Sequence, residues 1–136
     1  MIKSLTSIDI PFVLALEDEY KLSTCVNSQS AKTWILTHEE ESIGFITWIE
    51  SEDNADLLNI AISSDYSNQG YGSVLLSTWL SSLKSQGIKH CFLEVKASNV
   101  HAIEFYKKHG FIINRIRKGY YQATQEDAVE MRVDYE

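Results

Sequence analysis

A chain of 136 residues, 44% hydrophobic and 23% charged, is long enough for one domain with its own core and needs no disulfide or metal staples. Nineteen acidic against twelve basic side chains leave a net charge of −7, which argues against a nucleic-acid backbone or an anionic membrane surface as partner. No apolar run reaches the roughly 18 residues of a membrane span, no signal-peptide pattern opens the sequence, and Cys25 and Cys91 lie far apart, so a reduced cytoplasmic protein is expected. The four histidines (His38, His90, His101, His109) form no dense ligand spacing, and no metal is expected.

Residues 1–5 read as a short first strand. Thr6-Ser7-Ile8-Asp9 starts a helix in whose first turn Pro11 is tolerated, with Ile10, Val13, Leu14 and Leu16 as its apolar face. Residues 20–31 are polar and show no period. Trp34-Ile35-Leu36 and Ile43-Gly44-Phe45-Ile46-Thr47-Trp48-Ile49 read as strands joined by a hairpin loop at Glu39-Glu40-Glu41-Ser42, and Leu57-Leu58-Asn59-Ile60-Ala61-Ile62 reads as a third. A turn-rich stretch follows, then a helix with Leu75, Leu76, Trp79, Leu80 and Leu83 on one face and Gly87 beyond its end. Cys91-Phe92-Leu93-Glu94-Val95 is a strand, and Ser98 or Asn99 caps a helix that runs to about His109, with Gly110 at its end. Phe111-Ile112-Ile113 and Ala128-Val129-Glu130-Met131-Arg132-Val133 close the chain as strands. Early hairpins followed by β-α-β-α-β units predict an α/β (α+β) domain over residues 1–136, with a mixed, mostly antiparallel sheet covered by helices on both faces.

The segment Asn68-Gln69-Gly70-Tyr71-Gly72-Ser73 stands where a strand gives way to a helix. Two glycines two apart let several N–H groups converge, and the helix adds its unpaired amides and positive dipole end, so a diphosphate is the expected guest. No Lys-Ser/Thr follows as in a Walker loop, and Leu75 occupies the third glycine position of a dinucleotide fingerprint. Glu94 alternates in its strand with Leu93 and Val95, on the side of Phe92 and Lys96. It is either a solvated strand residue or, beneath two helix layers, a partly buried carboxylate whose raised pKa suits a base. Tyr106, beside Ala102, Phe105 and His109 on the second helix, is either core or a proton donor, and Asn99 is a cap with or without a ligand contact.

Asp65-Tyr66-Ser67-Asn68-Gln69-Gly70-Tyr71-Gly72-Ser73-Val74-Leu75-Leu76, preceded by Asn59-Ile60-Ala61-Ile62, resembles the acetyl-CoA-binding motif of the GNAT N-acetyltransferase superfamily. That motif reads Gln/Arg-x-x-Gly-x-Gly/Ala; Ser67 takes the Gln/Arg position here, and Asn68 stands where a basic residue is common. Leu93-Glu94-Val95-Lys96-Ala97-Ser98-Asn99, then Ala102-Ile103-Glu104-Phe105-Tyr106 and Gly110-Phe111, resemble the RimI-like ribosomal-protein-alanine N-acetyltransferase branch. So do Arg115-Ile116-Arg117-Lys118-Gly119-Tyr120-Tyr121 and Glu126-Asp127-Ala128, although Gly119 and Gln122 stand where that branch has Asn and Pro. The resemblance implies a GNAT fold with splayed central strands and acetyl-CoA as cosubstrate, held by Ile60, Ala61, Ile62, Gln69, Gly70, Tyr71, Gly72, Ser73, Asn99 and Tyr106. It implies Glu94 as general base, Tyr106 as general acid, and Tyr120 and Tyr121 in a loop that holds the acceptor. The implied acceptor is the N-terminal amine of a ribosomal protein. Residues 20–32 are shorter than in the branch, which leaves two other readings open: a small-amine acetyltransferase and a catalytically silent CoA-binding module.

Overall fold

The computed structural model describes residues 1–135 apart from Gln122, so the departure noted at Gln122 lies outside the described residues. Along them the chain runs β1 (Ile2–Ser4), α1 (Ile10–Glu19), β2 (Ala31–His38), β3 (Glu41–Ser51), β4 (Asn54–Ile62), α2 (Tyr71–Ser85), β5 (His90–Lys96), α3 (Val100–Lys108), β6 (Ile112–Tyr121) and β7 (Glu126–Asp134). The strands form one sheet in the order β1-β2-β3-β4-β5-β7-β6. Every neighbouring pair is antiparallel except β4 and β5, which run parallel. The mixed, mostly antiparallel sheet expected from the pattern is therefore present.

Local signals set most boundaries. Thr6 closes a short 3₁₀ turn at Ser7–Asp9, its N–H and its hydroxyl each donating to Asp9 Oδ2 at 2.9 Å, and α1 proper starts one turn later than the cap residue suggests. Pro11 sits in the first turn of α1, where its missing N–H has no helical partner to lose. The hairpin between β2 and β3 turns on Glu39 and Glu40 alone, both with positive φ (51° and 69°), and β3 already begins at Glu41. Two left-handed residues match the strand twist better than the four-residue loop expected from sequence.

The two faces of the sheet are covered unequally. On one, Leu75, Leu76, Trp79 and Leu83 of α2 pack on Ile46, Trp48, Leu57, Leu93 and Met131, with α3 alongside through Ala102, Ile103, Phe105 and Tyr106. On the other, Val13 and Leu16 of α1 meet Val26, Ile35, Phe45 and Ala61, all on or beside the first half of the sheet. No residue of β5, β6 or β7 belongs to that second cluster. Helices do lie on both faces, but the α1 side is open from β5 onward. Of the two readings open for Glu94, the structure takes the solvated one and not the partly buried carboxylate: Leu93 and Val95 are 4% and 8% exposed on the covered side, while Glu94 is exposed on the open one.

The second correction concerns the last hairpin. Tyr120 and Tyr121 do not occupy a loop; β6 continues through them, and Tyr121 pairs with Glu126 of β7. An edge strand half in water needs no hydrophobic alternation, so the run from Asn114 to Lys118 hides its extended form from a periodicity reading. Among the described residues no helix is long and apolar enough to cross a membrane, and no group of three or more His, Cys, Asp or Glu is placed to hold a metal ion.

Candidate active site

The site originates in a pairing that stops early. β4 and β5 pair only at Asn54–His90, Ala55–Cys91 and Asp56–Phe92, after which the two strands part. The cause is next door: β3 pairs Thr47 with Asn59 but Trp48 with Leu57, so Leu58 is an extra residue in β4. Such a bulge sharpens local twist and turns the strand away from its other neighbour. From Leu57 to Ile62 one edge of β4 consequently has no strand partner among the described residues; the Tyr20 hydroxyl takes the Ile62 carbonyl, and the other outward-facing backbone groups on that edge have no ladder partner. A cavity opens on each side of this gap.

The first cavity, about 650 Å³, is lined by Ile60, Ala61 and Ile62 of β4, by Gly70, Tyr71, Gly72 and Ser73, by Asn99 at the N-cap of α3 and by α3 residues that include Tyr106. Gly70 is the N-cap of α2 with φ 89°, a left-handed conformation that aims the first amides of the helix at one point. At Gly72 a Cβ would meet the Phe105 ring at 3.6 Å, so a small residue keeps α3 close to the loop. Of the ten residues expected around the cofactor, only Gln69 is absent from the lining; its side chain folds back to donate to the Asp65 carbonyl at 3.3 Å. Asn99 accepts from the Ala102 amide at 3.2 Å as a cap, and it also borders the cavity. Tyr106 packs between Phe105 and Phe111, and its hydroxyl makes no hydrogen bond to a described residue. Burial pushes this phenol up to about 12, so it keeps its proton at every physiological pH.

The second cavity, about 670 Å³, lies on the open face and includes Glu94, Tyr120 and Tyr121. The two rings meet edge-on with centroids 5.2 Å apart; Arg117 lies over Tyr120 and Lys96 over Tyr121, 5.3 and 5.4 Å from the ring centres. Loss of solvent raises the Tyr121 phenol, and the Glu94 charge raises it further, which puts that carboxylate in electrical contact with the aromatic wall. Sequence reasoning missed two more acids here, Asp56 and Glu130. Glu130 is matched by Arg115 and Arg117 at 3.5 Å each. Asp56 has no ion pair among the described residues, and desolvation together with the Glu130 charge pushes its acid up. Neither residue belongs to a motif; each becomes visible only when β4, β5 and β7 come together.

Residues 20–25, unassignable from sequence, separate the cavities: Tyr20 and Leu22 border the first, Ser23 and Cys25 the second. The buried Glu17 pins this segment. Its Oε2 accepts from the Cys25 amide at 3.0 Å and from Asn59 Nδ2 at 3.2 Å, while the same Asn59 nitrogen donates to the Ser23 carbonyl at 2.8 Å. Tyr20 adds a hydrogen bond from its hydroxyl to the Ile62 carbonyl, 2.7 Å. Burial, then the Glu17 charge, raises the Cys25 thiol, so it is no nucleophile at neutral pH. His109 is tied to Ser73, with Nε2 and Oγ 3.1 Å apart, and His101 borders the first cavity; neither lines the second.

Comparison with known proteins places the sequence and the fold in one family. The sequence profile of the Acetyltransferase (GNAT) family matches residues 3–111. The chain is 33% identical over 139 aligned residues, 96% of its own length and 94% of the relative's, to the [ribosomal protein bS18]-alanine N-acetyltransferase of Escherichia coli. Its fold is similar to the crystal structure of the ribosomal-protein-S18-alanine N-acetyltransferase from Escherichia coli, with a TM-score of 0.86, 30% identity and coverage of 98% and 92% of the two chains. At 21% identity it also shares the fold of a GNAT family acetyltransferase from Elizabethkingia anophelis solved with acetyl-CoA bound, with a TM-score of 0.81 and coverage of 99% and 97%.

Proposed function

The chain belongs to the Acetyltransferase (GNAT) family and is an N-acetyltransferase, and from that premise we propose that it takes the acetyl group of acetyl-CoA and passes it directly to the N-terminal amine of a protein, a reading supported by its similarity to a [ribosomal protein bS18]-alanine N-acetyltransferase. The observation that carries this reading is the sorting of charge across the β4–β5 gap. In a chain of net charge −7, no Asp or Glu among the described residues lines the cavity that ends at the α2 amides, whereas Asp56, Glu94 and Glu130 line the other with Arg117 as the one Lys or Arg among its described lining. A phosphate-bearing carrier suits the first cavity and an ammonium the second.

Acetyl-CoA supplies the activated acyl group and a leaving thiolate. The α2 amides at Gly70 to Ser73 hold its diphosphate, and the unpaired edge of β4 at Ile60 to Ile62 receives the amide-bearing arm as an extra strand would be received. An acceptor arrives as an ammonium, which has no lone pair to attack with. Glu94, exposed in the opposite cavity and held by no ion pair with a described residue, takes that proton directly or through water. After the neutral amine attacks and the C–S bond breaks, Tyr106 donates its hydroxyl hydrogen to the departing sulfur from the cofactor side, and the second proton shed by the nitrogen as it becomes an amide restores the phenol through solvent. Burial keeps the phenol protonated, so the donor form is present when the sulfur leaves. Holding both partners across one gap supplies much of the acceleration through orientation.

The test is thiol release with acetyl-CoA against two acceptor sets: basic peptides with N-terminal Ala, and small amines (polyamines, aminoglycosides, amino acids). Turnover of the peptides supports the reading. Turnover of small amines alone moves the enzyme to that substrate class, and CoA binding without release from either set leaves a binding module.

A further inference from the structure

The loop that receives the diphosphate has no cation of its own: Ser67, Asn68 and Gln69 precede Gly70, and Gln69 turns away to the Asp65 carbonyl. Neutral amides alone leave two negative charges facing uncompensated solvent, so the source of positive charge is an open question. The cofactor cavity answers it from the other wall. Among the described residues that line it, Lys108 and His101 are the only Lys, Arg or His, and both belong to α3.

Lys108 is placed there by its neighbours. His109, the next residue, reaches Ser73 in the third position of α2, with His109 Nε2 and Ser73 Oγ 3.1 Å apart. Phe105, one turn back, rests on Gly72 closely enough that a Cβ there would touch its ring at 3.6 Å. The last turn of α3 is therefore fastened to the phosphate loop at two points, and Lys108 lies between them. Burial, and after it the Lys108 charge, holds His109 below the usual imidazole range, so His109 serves as a neutral tie. Lys107 faces elsewhere and pairs with Glu104 at 3.8 Å; Lys108 has no ion pair with a described residue.

We propose that Lys108 is the phosphate-binding cation of this enzyme, delivered from the last turn of α3 to the loop at Gly70–Ser73 in place of a basic residue in the loop. The assignment rests on the acetyl-CoA reading above and concerns phosphate chemistry, which the carrier offers both as its diphosphate and as its 3′-phosphate. A four-carbon stem lets the ammonium follow either.

Calorimetry with CoA, dephospho-CoA and pantetheine, on the full chain and on Lys108→Glu and Lys107→Glu, separates the possibilities. Both variants change the charge equally, and circular dichroism verifies that each is folded. Expected is a loss of CoA affinity of roughly tenfold for Lys108→Glu and under about twofold for Lys107→Glu, with pantetheine unaffected by either. Equal loss with dephospho-CoA assigns Lys108 to the diphosphate, and loss confined to CoA assigns it to the 3′-phosphate. CoA binding that is unchanged in Lys108→Glu, or reduced as much in Lys107→Glu, overturns the proposal. A parent chain that binds no CoA overturns the cofactor reading itself, a result distinct from either of these.

Discussion

Replacing Tyr106 by Phe removes one oxygen from a site where its contribution can be isolated. The ring is held by Phe105 and Phe111 at centroid distances of 5.4 and 5.7 Å, and Phe fills the same space. The hydroxyl has no hydrogen-bond partner among the described residues, so its removal leaves no group unpaired and stability should stay within about 0.5 kcal/mol. Catalysis responds differently. A hydrogen bond to a group that develops charge is worth about 1.5–3 kcal/mol, which at 1.36 kcal/mol per tenfold lowers kcat roughly 10- to 150-fold. Because that bond forms only as the sulfur becomes negative, CoA affinity should change by less than about twofold. The pH profile provides a second check. Burial disfavours the phenolate, so the donor form persists from low pH upward and is lost only as pH approaches about 12; parent kcat should show no alkaline fall from Tyr106 below pH ~10. Stopped-flow or thiol-release kinetics with a verified acceptor, together with CoA titrations, measure all three. A Phe variant that retains kcat within twofold, or loses CoA affinity in proportion to rate, refutes the donor assignment.

Three further outcomes follow from the same structure. Glu94→Gln keeps shape but cannot accept a proton, so kcat/KM should fall about 100-fold or more at pH 7 and recover in alkali as the acceptor amine deprotonates by itself; a parallel loss at all pH values would assign Glu94 to binding instead. Gly44→Ala would put a Cβ 2.5 Å from Ile62 Cδ1 and 2.9 Å from the Ala61 carbonyl, and since the carbonyl belongs to a paired strand it must shift; a cost of about 1–3 kcal/mol in denaturant unfolding and weaker CoA binding are expected. Glu17→Ala leaves the Cys25 amide and Asn59 without their shared acceptor and empties a side-chain volume, so about 2–4 kcal/mol of stability should be lost and proteolysis should become faster at residues 20–25.

Several of these residues were visible in the chain before any fold was known, and the reason is distance along the sequence. Helix α2 announces itself through Leu75, Leu76, Trp79 and Leu83 because residues three and four apart share a face whatever the rest does, and all four are fully buried. The left-handed Gly70 before it needs only its own missing Cβ. Tyr106 and Asn99 on α3, and the side of β5 that Glu94 takes, follow from equally local periods. The resemblance to the GNAT family then attaches chemistry to these positions.

Tertiary structure decided the rest, because it depends on neighbours far off in the chain. The gap between β4 and β5 comes from one extra residue, Leu58, measured against β3, and no local pattern marks it. The exposure of Glu94 follows from where α1 stops covering the sheet, and the strand conformation of Tyr120 and Tyr121 from pairing with β7. Asp56, Glu94 and Glu130 come from three strands and make one acidic cavity only when those strands lie side by side; the contact of His109 with Ser73 likewise joins two helices. Periodicity and backbone freedom are properties of a few adjacent residues and can be read from their order. The field inside a cavity is a sum over side chains that the chain alone does not bring together, and only the packed sheet sets it.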